Sequence, residues 1–305
     1  MPNLMPAAEV EVTLELVRHL LREQHADLSE RPLSMLANGW DNVMVRCGDD
    51  LVVRLPRRQA AAELVVSEQR WLPMLAERLP LPIPVPVRVG LPGAGYPWSW
   101  SVLPFLPGVP AAVAPSLDPA EMVDVLAAFL AALHLPAVPG APHNRYRGVP
   151  LADRAALDAA NLAALADPGV ARAAAAIRDT GLAARPWTGE PVWVHGDLHP
   201  ANLLVEAGRI SGVIDFGDLT AGDPATDLAV IWMVLPLSEH RRFWRSYAAS
   251  AAYVVDADLR ARARGWASAL AVVFLAHSVD NPLMGGIGQS TIDTLLEEQR
   301  SVPGA

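Results

Sequence analysis

The sequence predicts an α+β chain of two lobes, a small sheet-bearing lobe over residues 1–104 and a larger, mainly helical lobe over residues 105–305. Three observations predict this. Period-two alternation is clearest in the first third of the chain, where Val43, Val45 and Cys47 interleave with Asn42, Met44 and Arg46. Pro104, Pro107 and Gly108 punctuate a hinge, beyond which helical composition takes over. Within that later part only Val192-Trp193-Val194 and residues 210–214 read as short, buried strands.

The elements follow in order. Leu16, Val17, Leu20 and Leu21 form a helical stripe that ends before Ser29-Glu30-Arg31-Pro32. Asn42 to Cys47, the Gly48-Asp49-Asp50 turn and Leu51 to Leu55 make a hairpin, which Pro56 closes. Residues 60–79 are helical in composition. Pro80, Pro82, Pro84 and Pro86 then impose an extended path to a short strand at Val87-Arg88-Val89. Residues 98–103 read as an aromatic strand in which Trp98 and Trp100 pack, and Cys47 reads as core. Asp118-Pro119-Ala120-Glu121 combines a capping side chain, a proline at the first helical position and an acid three residues after the cap. The helix it opens runs to about His134, and the proline-rich residues 136–150 are a loop. Residues 154–184 are helical with a break near Asp167-Pro168-Gly169, and three or four helices follow Pro224.

Composition excludes some functions. The 305 residues carry a formal net charge of -9, and all 24 of the basic residues are arginine. Nucleic acid is an unsuitable partner for such a chain, since phosphate binding needs a basic stripe, whereas a cationic ligand suits it. Any site that ordinarily uses lysine must here use arginine. One cysteine rules out a disulfide framework within the chain and fits a reducing compartment. The longest apolar runs fall short of a membrane span, and the acidic start, with Glu9, Glu11 and Glu15, is unlike a secretory signal. The expectation is a cytoplasmic protein, a monomer or weak dimer, with no membrane or nucleic-acid partner.

The chemistry is concentrated in His195-Gly196-Asp197-Leu198-His199-Pro200-Ala201-Asn202 and Ile214-Asp215-Phe216-Gly217-Asp218, each just after a short apolar strand. Asn202 and Asp215 offer the all-oxygen donors that suit Mg²⁺, a hard cation that also takes phosphate oxygens and water. Asp197 is then left to orient a hydroxyl or accept its proton. That is the division of labour in phosphoryl transfer. His195 and His199 read as braces, and Asp223 and Asp227, beside Pro224, as capping and bracing groups for the loop.

The strings HGDLHPAN, IDFGD and GDPATDLA resemble the aminoglycoside phosphotransferase family of antibiotic kinases, which share a bilobal protein-kinase-like fold. Gly39-Trp40-Asp41-Asn42, Val53-Arg54-Leu55-Pro56 and Leu79-Pro80-Leu81-Pro82-Ile83-Pro84 extend the resemblance upstream. The resemblance implies Asp197 as catalytic base, with Asn202 and Asp215 as Mg²⁺ ligands. It places Arg54 where the family's nucleotide-contacting lysine stands and Glu68 where that lysine's carboxylate partner stands. Leu103 to Leu106, including Phe105, correspond to the interlobe segment that meets the purine, and Gly39 marks the nucleotide loop. The implied donor is ATP or GTP, and the implied acceptor is a hydroxyl of an antibiotic, first a cationic aminoglycoside. A macrolide, a peptide antibiotic or a small metabolite is the alternative acceptor.

Two departures stand out: Arg54 replaces lysine, and no G-x-G-x-x-G loop is present. Two further readings remain open from the residues alone. His195, Asp197, His199, Asp215 and Asp218 could form the N/O ligand set of a two-metal hydrolase. Alternatively, the chain could bind nucleotide as a regulator without catalysis.

Overall fold

The computed structural model describes residues 7–114 and 117–301. These form two compact units: one runs to Pro107 and includes Gly212–Gly217, and the other holds Gly108–Ser211 and the chain from Asp218 onward.

In the first unit, α1 (Leu14–Gln24) begins at Thr13, whose hydroxyl accepts the Leu16 N–H at 3.2 Å and so pairs one of the free donors of a helix start. Its buried residues, Val17, Leu20 and Leu21, follow the helical period. Strands β1 (Leu33–Asn38), β2 (Asn42–Cys47) and β3 (Leu51–Pro56) precede α2 (Gln59–Ala76), and β4 (Arg88–Gly90) and β5 (Trp100–Pro104) follow it. The five strands pair antiparallel in the order β1-β2-β3-β5-β4. Strand β2 buries Val43, Val45 and Cys47, the face its alternation predicts. The apolar core joins these residues to Val53 and Leu55 of β3, to Leu20 and Leu21 of α1, and to Trp98, Trp100 and Val102. Strand β1 was not foreseen. It has no β-branched residue and only Leu33 is half-buried, so backbone pairing to β2, not side-chain burial, holds it as an edge.

The second unit starts with β6 (Val109–Pro110) and α3 (Pro119–Leu133), where Asp118 accepts the Ala120 N–H at 2.9 Å. Helices α4 (Ala155–Ala163) and α5 (Pro168–Ala183) bracket the foreseen break, with Asp167 capping the second. Strands β7 (Val192–Val194), β8 (Leu203–Glu206), β9 (Arg209–Val213) and β10 (Thr220–Gly222) come next; β7 pairs with β10 and β6 with β8. Five helices end the described chain: α6 (Ala225–Leu228), α7 (Ile231–Val234), α8 (Leu237–Ser250), α9 (Ala257–His277) and α10 (Pro282–Ser301). The first two are four-residue turns, which lack the length for a visible apolar period, so the sequence suggests fewer helices. Helix α9 packs directly on α5: a Cβ added at Gly181 would lie 2.9 Å from the Gly265 Cα, an approach that only small residues permit.

The end of β9 belongs to the first unit, where the Val213 N–H donates to the Pro82 carbonyl at 3.1 Å. The segment that carries Asp215 is thereby fastened to the proline-rich approach to β4. Among the described residues no helix is long and apolar enough to cross a membrane.

Candidate active site

Strand β7 is buried at all three positions and delivers the chain to His195-Gly196-Asp197. Gly196 has φ +88°, and a Cβ there would lie 2.3 Å from the Asp218 carbonyl oxygen, so the turn requires glycine. Asp227, fully buried, accepts the His195 N–H at 2.7 Å through Oδ2 and the Gly196 N–H at 2.9 Å through Oδ1. His134 Nε2 stands 3.2 Å from the same Oδ2, and His134 Nδ1 lies 2.7 Å from the Tyr247 hydroxyl. Asp227 is therefore the brace that the sequence suggests, with a histidine and a tyrosine behind it. Asp223 caps the next turn by accepting the Ala225 N–H at 3.0 Å and takes the Arg262 Nε–H at 2.7 Å.

The Asp197 carboxylate is 27% exposed and both its oxygens face cationic or polar donors. Arg147 Nη2 donates to Oδ1 at 3.2 Å, and His199 Nε2 faces Oδ2 at 3.4 Å. His199 Nδ1 accepts the Ala201 N–H at 3.2 Å. Burial alone would raise the Asp197 pKa. The His199 ring, by charge and hydrogen bond, then Arg147 and His195, outweigh it and hold the carboxyl well below the usual range. Arg147 also places Nε 3.5 Å from Asp218 Oδ2, and Asn144 Nδ2 donates to Asp218 Oδ1 at 2.7 Å. Arg147 comes from the proline-rich loop and carries no motif, so sequence reading passed over it.

Asn202 lies in the short turn after His199 and donates Nδ2 to the Asp197 carbonyl at 2.9 Å. Its amide oxygen is then the atom turned away from that carbonyl, an oxygen donor of the kind Mg²⁺ takes. Asp215 sits at φ +63°, a left-handed backbone uncommon for a residue with a side chain, and its carboxylate is 57% exposed. An exposed carboxylate held at a strained turn also fits Mg²⁺ by its chemistry.

In the first unit Arg54, on β3, and Glu68, on α2, are buried together, with Arg54 Nη1 2.6 Å from Glu68 Oε1. Arg54 Nη2 reaches Asp215 Oδ1 at 3.4 Å. Burial lifts the Glu68 pKa to about 7, against the lowering effect of Arg54. Gly39 donates its N–H to the Asn42 carbonyl at 2.9 Å and accepts Arg57 Nη1 at 3.0 Å. Arg58 pairs with Asp41 in the same turn, so two arginines fix the loop that lacks a glycine motif. Leu103 is buried opposite Val52. The Phe105 N–H donates to the Asp50 carbonyl at 2.7 Å, and its ring lies 3.3 Å from the Arg46 guanidinium carbon.

A pocket of about 340 Å³ in the second unit borders the catalytic-loop turn at Pro200. Leu117, Met233, Leu283 and Ile287 give it apolar walls, Ser290 lies on its lining, and among the described residues no charged one lines it. The two-metal hydrolase set is not assembled. His195 Nδ1 accepts the Asp197 N–H at 3.2 Å, His199 Nδ1 accepts the Ala201 N–H, and among the described residues no group of three or more His, Cys, Asp or Glu is placed to hold a metal.

Comparison with known proteins bears on the same residues. The family model described as the phosphotransferase enzyme family matches residues 33–266, more than half of the chain. The aminoglycoside 3'-phosphotransferase of Streptomyces fradiae is 35% identical over 163 residues, which are 51% of this chain and 60% of that protein. The chain thus spans 20% to 60% of the length of the curated relatives it matches. Among solved structures, the GDP and kanamycin complex of APH(2")-IIia superposes with a TM-score of 0.68 at 20% identity, covering 94% of this chain and 99% of that one. The macrolide 2'-phosphotransferase MphH from Brachybacterium faecium gives 0.62 at 25% identity, covering 91% and 98%. The fold is that of these kinases, as the strings at Asp197 and Asp215 imply. The chain belongs to the phosphotransferase enzyme family, the family of the aminoglycoside phosphotransferases.

Proposed function

We propose that the protein transfers the γ-phosphate of ATP or GTP to a hydroxyl group of an antibiotic, with an aminoglycoside as the first acceptor. The observation that carries this is the Asp197 carboxylate, partly exposed, held ionised by His199 and Arg147, and fixed on a loop braced by Asp227. An ionised carboxylate beside an acceptor hydroxyl aligns one oxygen lone pair with the γ-phosphorus. As the new O–P bond forms, the bond to the leaving nucleoside diphosphate oxygen breaks and the hydroxyl proton passes to Asp197. Its low basicity suits a proton that moves late, after negative charge has spread over the transferred group.

Asn202 and Asp215 hold Mg²⁺ in this reading, and the bound cation offsets charge on the phosphates. Arg54, Glu68, the Gly39 turn and the Leu103–Phe105 segment make the nucleotide end. The N–H groups of Gly39 and Phe105 are already bonded within the protein, so these residues contribute surface instead of those donors. The acidic balance of the chain and the Streptomyces fradiae relative support an aminoglycoside.

A macrolide is the second reading, favoured by a specific observation. The pocket beside Pro200 is apolar and, among the described residues, has no carboxylate on its lining, whereas a polycation would be recognised by acids. Turnover of ATP and of GTP with Mg²⁺, each against a panel of aminoglycosides and macrolides, tests both. Acceptor-dependent release of ADP or GDP names the acceptor class, and release with none of the panel counts against an antibiotic acceptor.

A further inference from the structure

Resting on the phosphotransferase reading, we propose that Asn42 and Arg54 are positioning residues that aim the Asp215 carboxylate, and that Arg54 acts on the nucleotide through Asp215 and not by gripping phosphate. The register of the sheet brings the two residues together. Asn42 pairs across from Pro56, and Met44 pairs across from Arg54, so Asn42 and Arg54 are diagonal neighbours on one face of β2 and β3. With the Asn42 amide turned so that its oxygen faces Arg54, that oxygen accepts Nη2 at 3.0 Å and Nε at 3.3 Å. The opposite orientation would set two donors against each other, so the hydrogen-bond network selects this one.

The guanidinium is therefore engaged on every nitrogen. Nη1 donates to Glu68 Oε1 at 2.6 Å, Nη2 is shared between Asp215 Oδ1 at 3.4 Å and Asn42, and Nε also faces Asn42. The Arg54 side chain is only 6% exposed. A planar fork held in this way has a fixed orientation and little freedom to swing toward a triphosphate. What it presents outward is Asp215, the one exposed member of the group, at a backbone conformation that already restricts where the carboxylate points. A metal ligand is aimed by the groups behind it, and here those are Arg54, Glu68 and Asn42. A lysine at position 54 would bring one compact ammonium in place of the three nitrogens that now meet three acceptors. The arginine is then the working form of this site, with Asn42 as the acceptor that its longer fork requires.

The test is the binding of fluorescent ATP and GTP analogues to the full-length protein, with Mg²⁺ varied and with the metal chelated, for wild type, Asn42→Leu and Arg54→Lys. Asn42→Leu is expected to raise the Mg²⁺ concentration for half-saturation about tenfold, a change of about 1.4 kcal/mol, with metal-free nucleotide affinity unchanged. Arg54→Lys is expected to do the same. Circular dichroism and thermal melting check that each variant is folded. Should Arg54→Lys fail to fold, the half-buried Asn42 variant decides alone. Equal loss of affinity with and without Mg²⁺ in Arg54→Lys would mean direct contact with phosphate and overturns the proposal. An unchanged Asn42→Leu overturns it too. If wild type binds neither nucleotide, the phosphotransferase reading fails and takes the clamp with it; wild-type binding beside unshifted variants defeats the clamp alone.

Discussion

Replacing Asp227 with alanine removes the acceptor for two backbone N–H groups, those of His195 and Gly196, and the partner of His134 Nε2. All of these groups are buried: His195 and Asp227 have no exposure and His134 has 1%. Leaving a buried donor unpaired costs about 1–3 kcal/mol, so two backbone donors give a loss of about 4 kcal/mol before any relaxation or water entry. That is a large share of the roughly 5–15 kcal/mol stability of a folded protein. Urea denaturation followed by circular dichroism measures it directly, with Asp293→Ala, an exposed site, as the control expected to change stability by less than about 0.5 kcal/mol. Asp227→Asn preserves volume but turns an amide N–H₂ toward one of the same donors, so it is not expected to rescue. Turnover should fall with stability, because the turn at Gly196 sets the direction of Asp197. A midpoint shift for Asp227→Ala no larger than that of the control would refute the view that these bonds hold the loop.

Three other outcomes follow from the geometry. Arg147→Met removes one of the cations that depress Asp197, so the Asp197 pKa rises and the acid limb of the pH–rate profile moves upward; kcat is expected to drop about tenfold. Because the Asp197 carboxyl is held below the ordinary Asp value of about 3.9, the limb is followed below about pH 5, and an unmoved limb there rules out the electrostatic role. Ser290→Asp places a carboxylate at the exposed edge of the apolar pocket. It should raise KM for a macrolide and lower it for an aminoglycoside, with nucleotide KM unchanged, so steady-state kinetics on both shows which class uses that wall. His240 is buried among Trp232, Leu235 and Glu298, and burial lowers its pKa despite the Glu298 carboxylate. The unfolded chain therefore binds that proton more readily, and stability rises as pH climbs toward the ordinary histidine value of about 6.5. His240→Gln should flatten that part of the stability–pH curve; an unchanged slope argues against the assignment.

Much of the site was legible because its parts are local. The strings at Asp197 and Asp215 each follow a short buried strand, and the alternation of β2 alone fixes which of its side chains enter the core. The helix start at Asp118-Pro119 announces itself by capping chemistry. What escaped is what the fold assembles from a distance. Arg147 meets Asp197 across 50 residues of chain, from a loop whose prolines and glycine signal only a turn. His134 ends a helix as an ordinary apolar-face histidine would, and its partners, Asp227 and Tyr247, arrive from later segments. Strand β1 carries no propensity signal, since pairing to β2 decides it. Arg54 was visible as a substitution for lysine, but its meaning depends on Asn42, a diagonal neighbour that only the strand register brings beside it.

The central claim is that the Asp197 carboxylate does the chemistry while other groups bind the nucleotide. Its most direct test compares wild type with Asp197→Asn in acceptor-dependent release of nucleoside diphosphate, alongside nucleotide binding by each protein. The account predicts a fall in kcat of about 10²-fold or more with nucleotide affinity unchanged. Turnover by Asp197→Asn within a few-fold of wild type would contradict it.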